Sequence, residues 1–231
     1  MRDSVQFIIE LTESCNFNCK YCYLAQASGR KNSTRKMSLH TGLDIMKFLF
    51  HDVYRGQEPI IFVDFLDGEP LLNFDVLREM VLIGTEYEQQ VGQKVFVFRF
   101  TTNGSLLTES IVQFTKEHGV YFNISVDGIP ESHDANRVYQ NGMGTSADVH
   151  GKLHLVSGLK HVGVVSTYSP NTYHLMDDGT NYLMNKGIRH IEINFSMGYG
   201  KYEDIEELMC IFNRNIDRYL SNYARGDFSH T

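Results

Sequence analysis

The chain has 231 residues, of which 21 are basic and 28 acidic, for a net charge of −7; 42% are hydrophobic and 12% aromatic. This is the composition of a soluble globular protein, one α/β domain or two small ones, and it lacks the concentrated basic patch of a nucleic-acid or anionic-membrane surface. No apolar run approaches the ~20 residues of a membrane span and no signal-peptide hydrophobic region opens the chain, so a cytoplasmic protein is expected.

Val5 to Leu11 (VQFIIEL) is β-branched and apolar and reads as a buried strand. A polar loop from Thr12 to Lys36 follows, with three of the four cysteines. Ser38 is placed as the N-cap of a helix running to about Tyr54, whose apolar stripe would be Leu43, Met46, Phe50 and Val53. Ile60–Leu66 reads as a second strand and Val76–Gln90 as a second helix. The pattern repeats with strands at Val95–Phe100, Val120–Val126, Val162–Ser166 and His190–Asn194. The remaining helices are predicted at Glu109–His118, Ala147–Gly158, Tyr173–Asn185 and Glu203–Tyr223.

Six strands alternating with six helices imply parallel pairing through right-handed crossovers. An open doubly wound sheet and a partial barrel both satisfy this pattern, and both place ligands at the C-terminal ends of the strands. Every unusual loop leaves such an end: the cysteine loop, Asp67-Gly68-Glu69-Pro70, Thr102-Asn103-Gly104 and Ser125-Val126-Asp127-Gly128.

Cys15, Cys19 and Cys22 are spaced C-x3-C-x2-C. Three thiolates on one loop can ligate three irons of a cubane and leave the fourth iron open to a chelating cofactor. The alternatives are a structural zinc site, which wants a fourth ligand that the vicinity lacks, or three unpaired core cysteines, which would not crowd on a polar loop. Cys210, between Met209 and Ile211, reads as a small buried hydrophobe. The ten histidines show no ligand spacing and read as surface or helix-end residues. Asp127 is expected to serve structure, holding its turn, rather than substrate.

The cysteine spacing, the strand before it and the aromatic Tyr21 resemble the radical S-adenosylmethionine superfamily, and the resemblance runs from Phe7 to about Tyr223. It implies a parallel partial (β/α)6 barrel, a [4Fe–4S] cluster on Cys15, Cys19 and Cys22, and bound S-adenosylmethionine. Phe65-Leu-Asp-Gly-Glu-Pro resembles the family's Gly-Gly-Glu-Pro motif. By that resemblance Gly68 and Glu69 receive the cofactor's ammonium and Tyr21 lies near its adenine. Asp67 stands where the motif has its first glycine; Asp tolerates left-handed backbone better than most residues.

The run Ser125-Val-Asp-Gly … His133-Asp134 … Arg137 is similar to that of anaerobic sulfatase maturases and other SPASM/twitch-type peptide maturases. There the Ser and Arg contact the cofactor's ribose and carboxylate, roles that pass to Ser125 and Arg137. The resemblance therefore implies an oxidoreductase-type maturase whose 5′-deoxyadenosyl radical abstracts hydrogen from a peptide or protein substrate. An electron donor such as flavodoxin or ferredoxin is implied as well. A single core domain over 1–231 is expected, without the cysteine-rich extension of those relatives, since one cysteine lies beyond residue 22. A glycyl-radical enzyme activase and a degenerate core that binds a peptide without catalysis are the alternatives.

Overall fold

The computed structural model describes residues 4–24, 33–55, 60–196 and 198–224. In chain order these form β1 (Ser4–Glu10), α1 (Leu39–Phe48, continued by a π-helical turn, Leu49–Tyr54), β2 (Ile60–Leu66), a 3₁₀ turn (Pro70–Asn73), α2 (Phe74–Val91), β3 (Phe96–Thr102), α3 (Glu109–His118), β4 (Tyr121–Ser125), α4 (Pro130–Asn136), α5 (Ser146–His150), β5 (Val162–Tyr168), α6 (Met176–Asn185), β6 (Ile191–Phe195) and α7 (Ile205–Ala224). The strands lie in one sheet in the order β1-β2-β3-β4-β5-β6. The β1–β2, β2–β3 and β5–β6 ladders are parallel. A doubly wound sheet reverses its strand order at a switch point; this one does not, so the fold is the partial (β/α)6 barrel.

The chain divides into two compact units, Met1–Asn18 with Cys22–Asn123, and Cys19–Tyr21 with Ile124–Thr231. In the first, one face of β2 and β3 (Ile61, Val63, Phe65, Phe96, Phe98, Phe100) is almost completely buried. Each such side chain contributes roughly 1.5–3 kcal/mol by leaving water. Ser38 caps α1 as expected, its hydroxyl accepting from the Thr41 amide. The stripe is shifted from the expected one, however. Met46, Leu49, Phe50 and Tyr54 are buried, while Leu43 is exposed. Gly42 takes the inward place, because a Cβ there would stand 2.9 Å from Val76 Cγ1 and 3.1 Å from Met80 Sδ. α3 has the predicted bounds, set by Thr108 at its N-cap and the left-handed Gly119 at its C-cap.

The described ends of the cysteine loop are closed by a short stem. The Met37 amide donates to Leu11 O (2.9 Å) and the Glu13 amide to Arg35 O (3.1 Å). Thr12 bridges Lys36 in antiparallel sense, and the Asn73 amide group donates to both Leu11 O and Met37 O. The predicted loop interior at 25–32 lies outside the described residues.

In the second unit, Tyr168, Met176, Leu208 and Ile211 form a buried cluster with Tyr173, Ile193, Phe195, Tyr202 and Phe212 packed against it. The helix expected over Ala147–Gly158 is instead α5 and a separate 3₁₀ turn at Leu153–Leu155. α4 is a helix that no apolar periodicity announced: its buried residues are Ser132, His133 and Asn136. Two expectations are overturned here. His133 lies in the last turn of α4, a helix end, but it is fully buried and not on the surface. Cys210 is exposed, because α7 buries the preceding Leu208 and the following Ile211 and turns Cys210 outward between them.

Candidate functional site

The first unit gathers Cys15, Cys22, Gly68 and Glu69. At the exit of β2 the chain turns through two left-handed residues, Asp67 (φ 70) and Gly68 (φ 57). Asp67 therefore keeps the turn that a glycine would make, and its carboxylate accepts from Tyr23 Oη at 2.5 Å. At Gly68 nothing larger fits: a Cβ would stand 2.3 Å from Thr12 O and 2.6 Å from Ser14 O. The next amide, that of Glu69, donates to Ser14 O at 2.8 Å. The shelf after β2 and the start of the cysteine loop are thus in direct backbone contact.

Glu69 is buried, 1% exposed. Its Oε1 accepts from the Leu71 amide (3.0 Å) and Thr102 Oγ1 (2.7 Å), and Oε2 accepts from the Asn103 amide (2.7 Å). Burial pushes its carboxyl up to about 6, against the pull of those three donors. A carboxylate has about four acceptor positions, so one on Oε2 stays open. Asn103 also reaches the cysteine loop, its amide nitrogen lying 3.9 Å from Cys15 Sγ and 2.8 Å from Asn16 Oδ1. Cys15 is exposed as a residue, yet the chain packed about its sulfur pushes the thiol up to about 11. The Phe17 amide and Asn103 oppose that rise, and Glu69 and Cys22 add to it.

The second unit gathers Cys19, Tyr21 and Arg137 around Asp127. The Lys20 amide donates to Asn136 O (2.9 Å) and Lys20 Nζ to Ala135 O (2.5 Å), which fixes the middle of the loop to the end of α4. Tyr21 Oη donates to Asp127 Oδ2, and the Thr167 amide donates to Oδ1 at 2.8 Å. Arg137 Nε lies 3.0 Å from Asp127 Oδ2, with the guanidinium 5.4 Å from the centre of the Tyr21 ring. Burial works against the Arg137 charge, but Asp127 outweighs it and the pKa is raised. Tyr21 is raised well above its ordinary value, first by burial. Asp127 is fully buried, in keeping with a structural role. What it holds is wider than its own turn: it joins a loop aromatic to the arginine.

His133 completes this arrangement. The Asp127 amide donates to Nδ1 (3.2 Å), which leaves the proton on Nε2, and Nε2 faces Thr145 Oγ1 at 3.0 Å. Thr145 Oγ1 in turn donates to Arg137 O at 2.9 Å. Burial, then Arg137 and His150, depress the imidazole well below its usual range, so it stays neutral. Asp134 holds the far end by accepting from Ser146 N and Oγ (2.8 and 2.6 Å). Thr102, Asn103, His133 and Thr145 were not among the sequence candidates; the first three lie within the strand-end motifs, and no local signal marks Thr145. Ser125 ends β4, and its hydroxyl has no hydrogen-bond partner among the described residues. Cys210, on α7, belongs to neither gathering.

The donor set can be tested against the expected cofactors. Among the described residues no three His, Cys, Asp or Glu side chains converge on one metal ion. A single zinc would need such convergence, whereas a cubane takes one thiolate per iron and spreads its ligands. The open position on buried Glu69 suits one more cationic N–H, which would also offset the cost of burying its charge. The residues present therefore fit the cluster and the cofactor.

Comparison with known proteins agrees. Residues 9–168 match the Radical SAM superfamily. The radical SAM cyclopropyl synthase TigE of Paramaledivibacter caminithermalis is 21% identical over 94% of this chain and 46% of its own length. A cysteine-type anaerobic sulfatase-maturating enzyme of Clostridium novyi is 24% identical over 83% of this chain and 51% of its own. Among solved structures, native anSMEcpe with bound AdoMet superposes with a TM-score of 0.78 at 20% identity, covering 96% of this chain and 62% of that one. Streptococcus suis SuiB bound to its precursor peptide SuiA gives 0.65 at 14%, covering 98% and 47%. The chain thus spans about half the length of these curated enzymes. With the cysteine spacing, the shelf and the strand order in agreement, the chain belongs to the radical SAM superfamily, whose cofactors are a [4Fe–4S] cluster and S-adenosylmethionine.

Proposed function

We propose that this chain is the core of a radical SAM enzyme that abstracts hydrogen from a peptide or protein substrate. The observation that carries the reading is Glu69: a buried carboxylate with one open acceptor position, in contact through Asn103 with a candidate cluster ligand. Bound together, cluster and cofactor supply one-electron cleavage of a carbon–sulfur bond and hence a hydrogen-abstracting radical. The protein's part is to bind and orient.

Cys15, Cys19 and Cys22 would hold the cluster as thiolates. Glu69, ionised, would take the cofactor's ammonium, with Gly68 keeping the shelf close to the loop. Arg137 would offer its remaining guanidinium N–H groups to the cofactor's carboxylate, Ser125 its hydroxyl to the ribose, and Tyr21 its ring face to the adenine. A one-electron donor such as flavodoxin or ferredoxin is part of the proposal. Support for a peptide substrate comes from the sulfatase-maturating relative and from neighbours solved with peptides bound.

The test is anaerobic reconstitution, chemical reduction, and measurement of 5′-deoxyadenosine with and without candidate peptides. Formation of 5′-deoxyadenosine that rises with a peptide, and disappears in Cys15→Ala, is the expected result. A reconstituted cluster that never yields 5′-deoxyadenosine would reject the catalytic reading.

A further inference from the structure

The two faces of the first unit's strands differ sharply. The face with Phe65 and Phe98 is buried, but on the other Ile8 is 64% exposed and the Arg99 side chain 41%. This half-open face nevertheless carries a built polar cluster. Asp64 on β2 sits directly opposite Arg99 on β3 and Ile8 on β1, with Gln6 diagonal to it. Arg99 Nε donates to Asp64 Oδ1 (2.5 Å) and Nη2 to Oδ2 (2.7 Å), and Gln6 Nε2 donates to Oδ2. The guanidinium carbon lies 4.7 Å from the centre of the Phe62 ring.

Asp64, only 5% exposed, accepts all three of these bonds. They lock both partners in place and leave one group free on each. Among the described residues Arg99 Nη1 donates to nothing, and Gln6 Oε1 accepts from nothing. The ion pair is neutral as a whole, so it favours a dipolar group over an anion. One donor and one acceptor, fixed beside the apolar Ile8 and Phe62, are the complement of a secondary amide. Asp64 precedes the last residue of β2 by two positions, about 7 Å along the strand from the end at which the shelf begins.

We infer that Gln6 and Arg99, held by Asp64, recognise a main-chain amide of the substrate. The carbonyl would accept from Arg99 Nη1, the N–H would donate to Gln6 Oε1, and a neighbouring side chain would lie on Ile8. Naming the ligand as substrate rests on the peptide-modifying reading above; the binding itself does not.

The probe is N-methylisocaproamide, a single secondary amide beside an isobutyl group, titrated into the cluster-loaded full chain under argon. Binding is followed by the nitrogen-15 resonances of the Arg99 and Gln6 side chains. Both should shift, and the matching ester, methyl isocaproate, which lacks the N–H, should bind roughly tenfold more weakly, the value of about one good hydrogen bond. Gln6→Leu leaves the ion pair whole; it should lower methylamide affinity to that of the ester and leave the ester unchanged. Equal binding of the two probes to the unmodified protein, or equal losses for both in Gln6→Leu, would overturn the assignment. So would the absence of any shift up to the solubility limit. Tighter binding of propionamide than of the methylamide would overturn it in favour of a side-chain amide. Because none of these readouts needs cofactor cleavage, amide binding by a chain that never forms 5′-deoxyadenosine would reject the catalytic proposal and leave this site standing.

Discussion

Glu69 gives the sharpest quantitative test. Its carboxyl rises from 4.5 to about 6 on folding, because burial outweighs the donors from Thr102, Asn103 and Leu71. A carboxyl raised in the native state binds its proton more tightly there than in the unfolded chain. Stability is therefore fully favoured below pH 4.5, declines between 4.5 and 6, and is lowest above 6. The shift is worth about 2 kcal/mol at 1.36 kcal/mol per unit, or about 4–8 °C in Tm for a chain of this size. Thermal unfolding of cofactor-free protein, scanned from pH 4.5 to 7.5, should show this fall superimposed on the titration of other groups. Glu69→Gln cannot titrate, so the difference between the two curves isolates the site. Thr102→Val is a second handle: losing one donor should move the midpoint upward in pH. Cofactor added at pH 7.5 should recover much of the loss, since its ammonium would sit where a proton otherwise does. Parallel curves for the unmodified protein and Glu69→Gln would refute the argument.

Thr145→Val, nearly isosteric, breaks the link from His133 to the Arg137 carbonyl. It should weaken cofactor binding several-fold by equilibrium dialysis, with no further effect in an Arg137→Ala background if it acts through that side chain. Replacing Cys15, Cys19 or Cys22 by Ala should abolish the cluster's absorption, while Cys210→Ala should leave about four irons per chain by chemical analysis. Asp67→Gly exchanges a side chain at φ 70 for the residue that prefers such backbone, at the loss of the Tyr23 bond. Stability measured by denaturant should stay within ~1 kcal/mol, and the cluster should become easier to reduce by redox titration, because a nearby carboxylate is gone. Gly68→Ala should cost far more, since its Cβ meets backbone carbonyls of Thr12 and Ser14 that cannot step aside; little folded protein should be recovered.

Where apolar pattern and caps agree, the sequence already shows the fold. Ile60–Leu66 is a strand with the predicted bounds, and Thr108 and Gly119 punctuate α3. α4 stayed hidden because its inward side chains are polar, so no hydrophobic period marks it. The same circumstance hid His133, whose burial depends on partners at Asp127 and Thr145 that are remote from any local signal. Cys210 was misread from its apolar neighbours: around a helix, adjacent residues point about 100° apart, and only Ile211 turns inward. The cysteine spacing and Glu69 were legible because they belong to compact motifs. Asn103's reach to both of them was not, since it depends on two strand ends meeting in space.

The stem that closes the cysteine loop bears on how its length can vary. Glu13 and Arg35 are tied by backbone and by an ion pair at 2.6 Å, so the chain between them is anchored at its base whatever its contents. Closing a loop of that span costs about 3 kcal/mol in chain entropy, and doubling it adds only ~0.6 kcal/mol. Insertions after Cys22 therefore change the closure term little and leave the ligand spacing untouched.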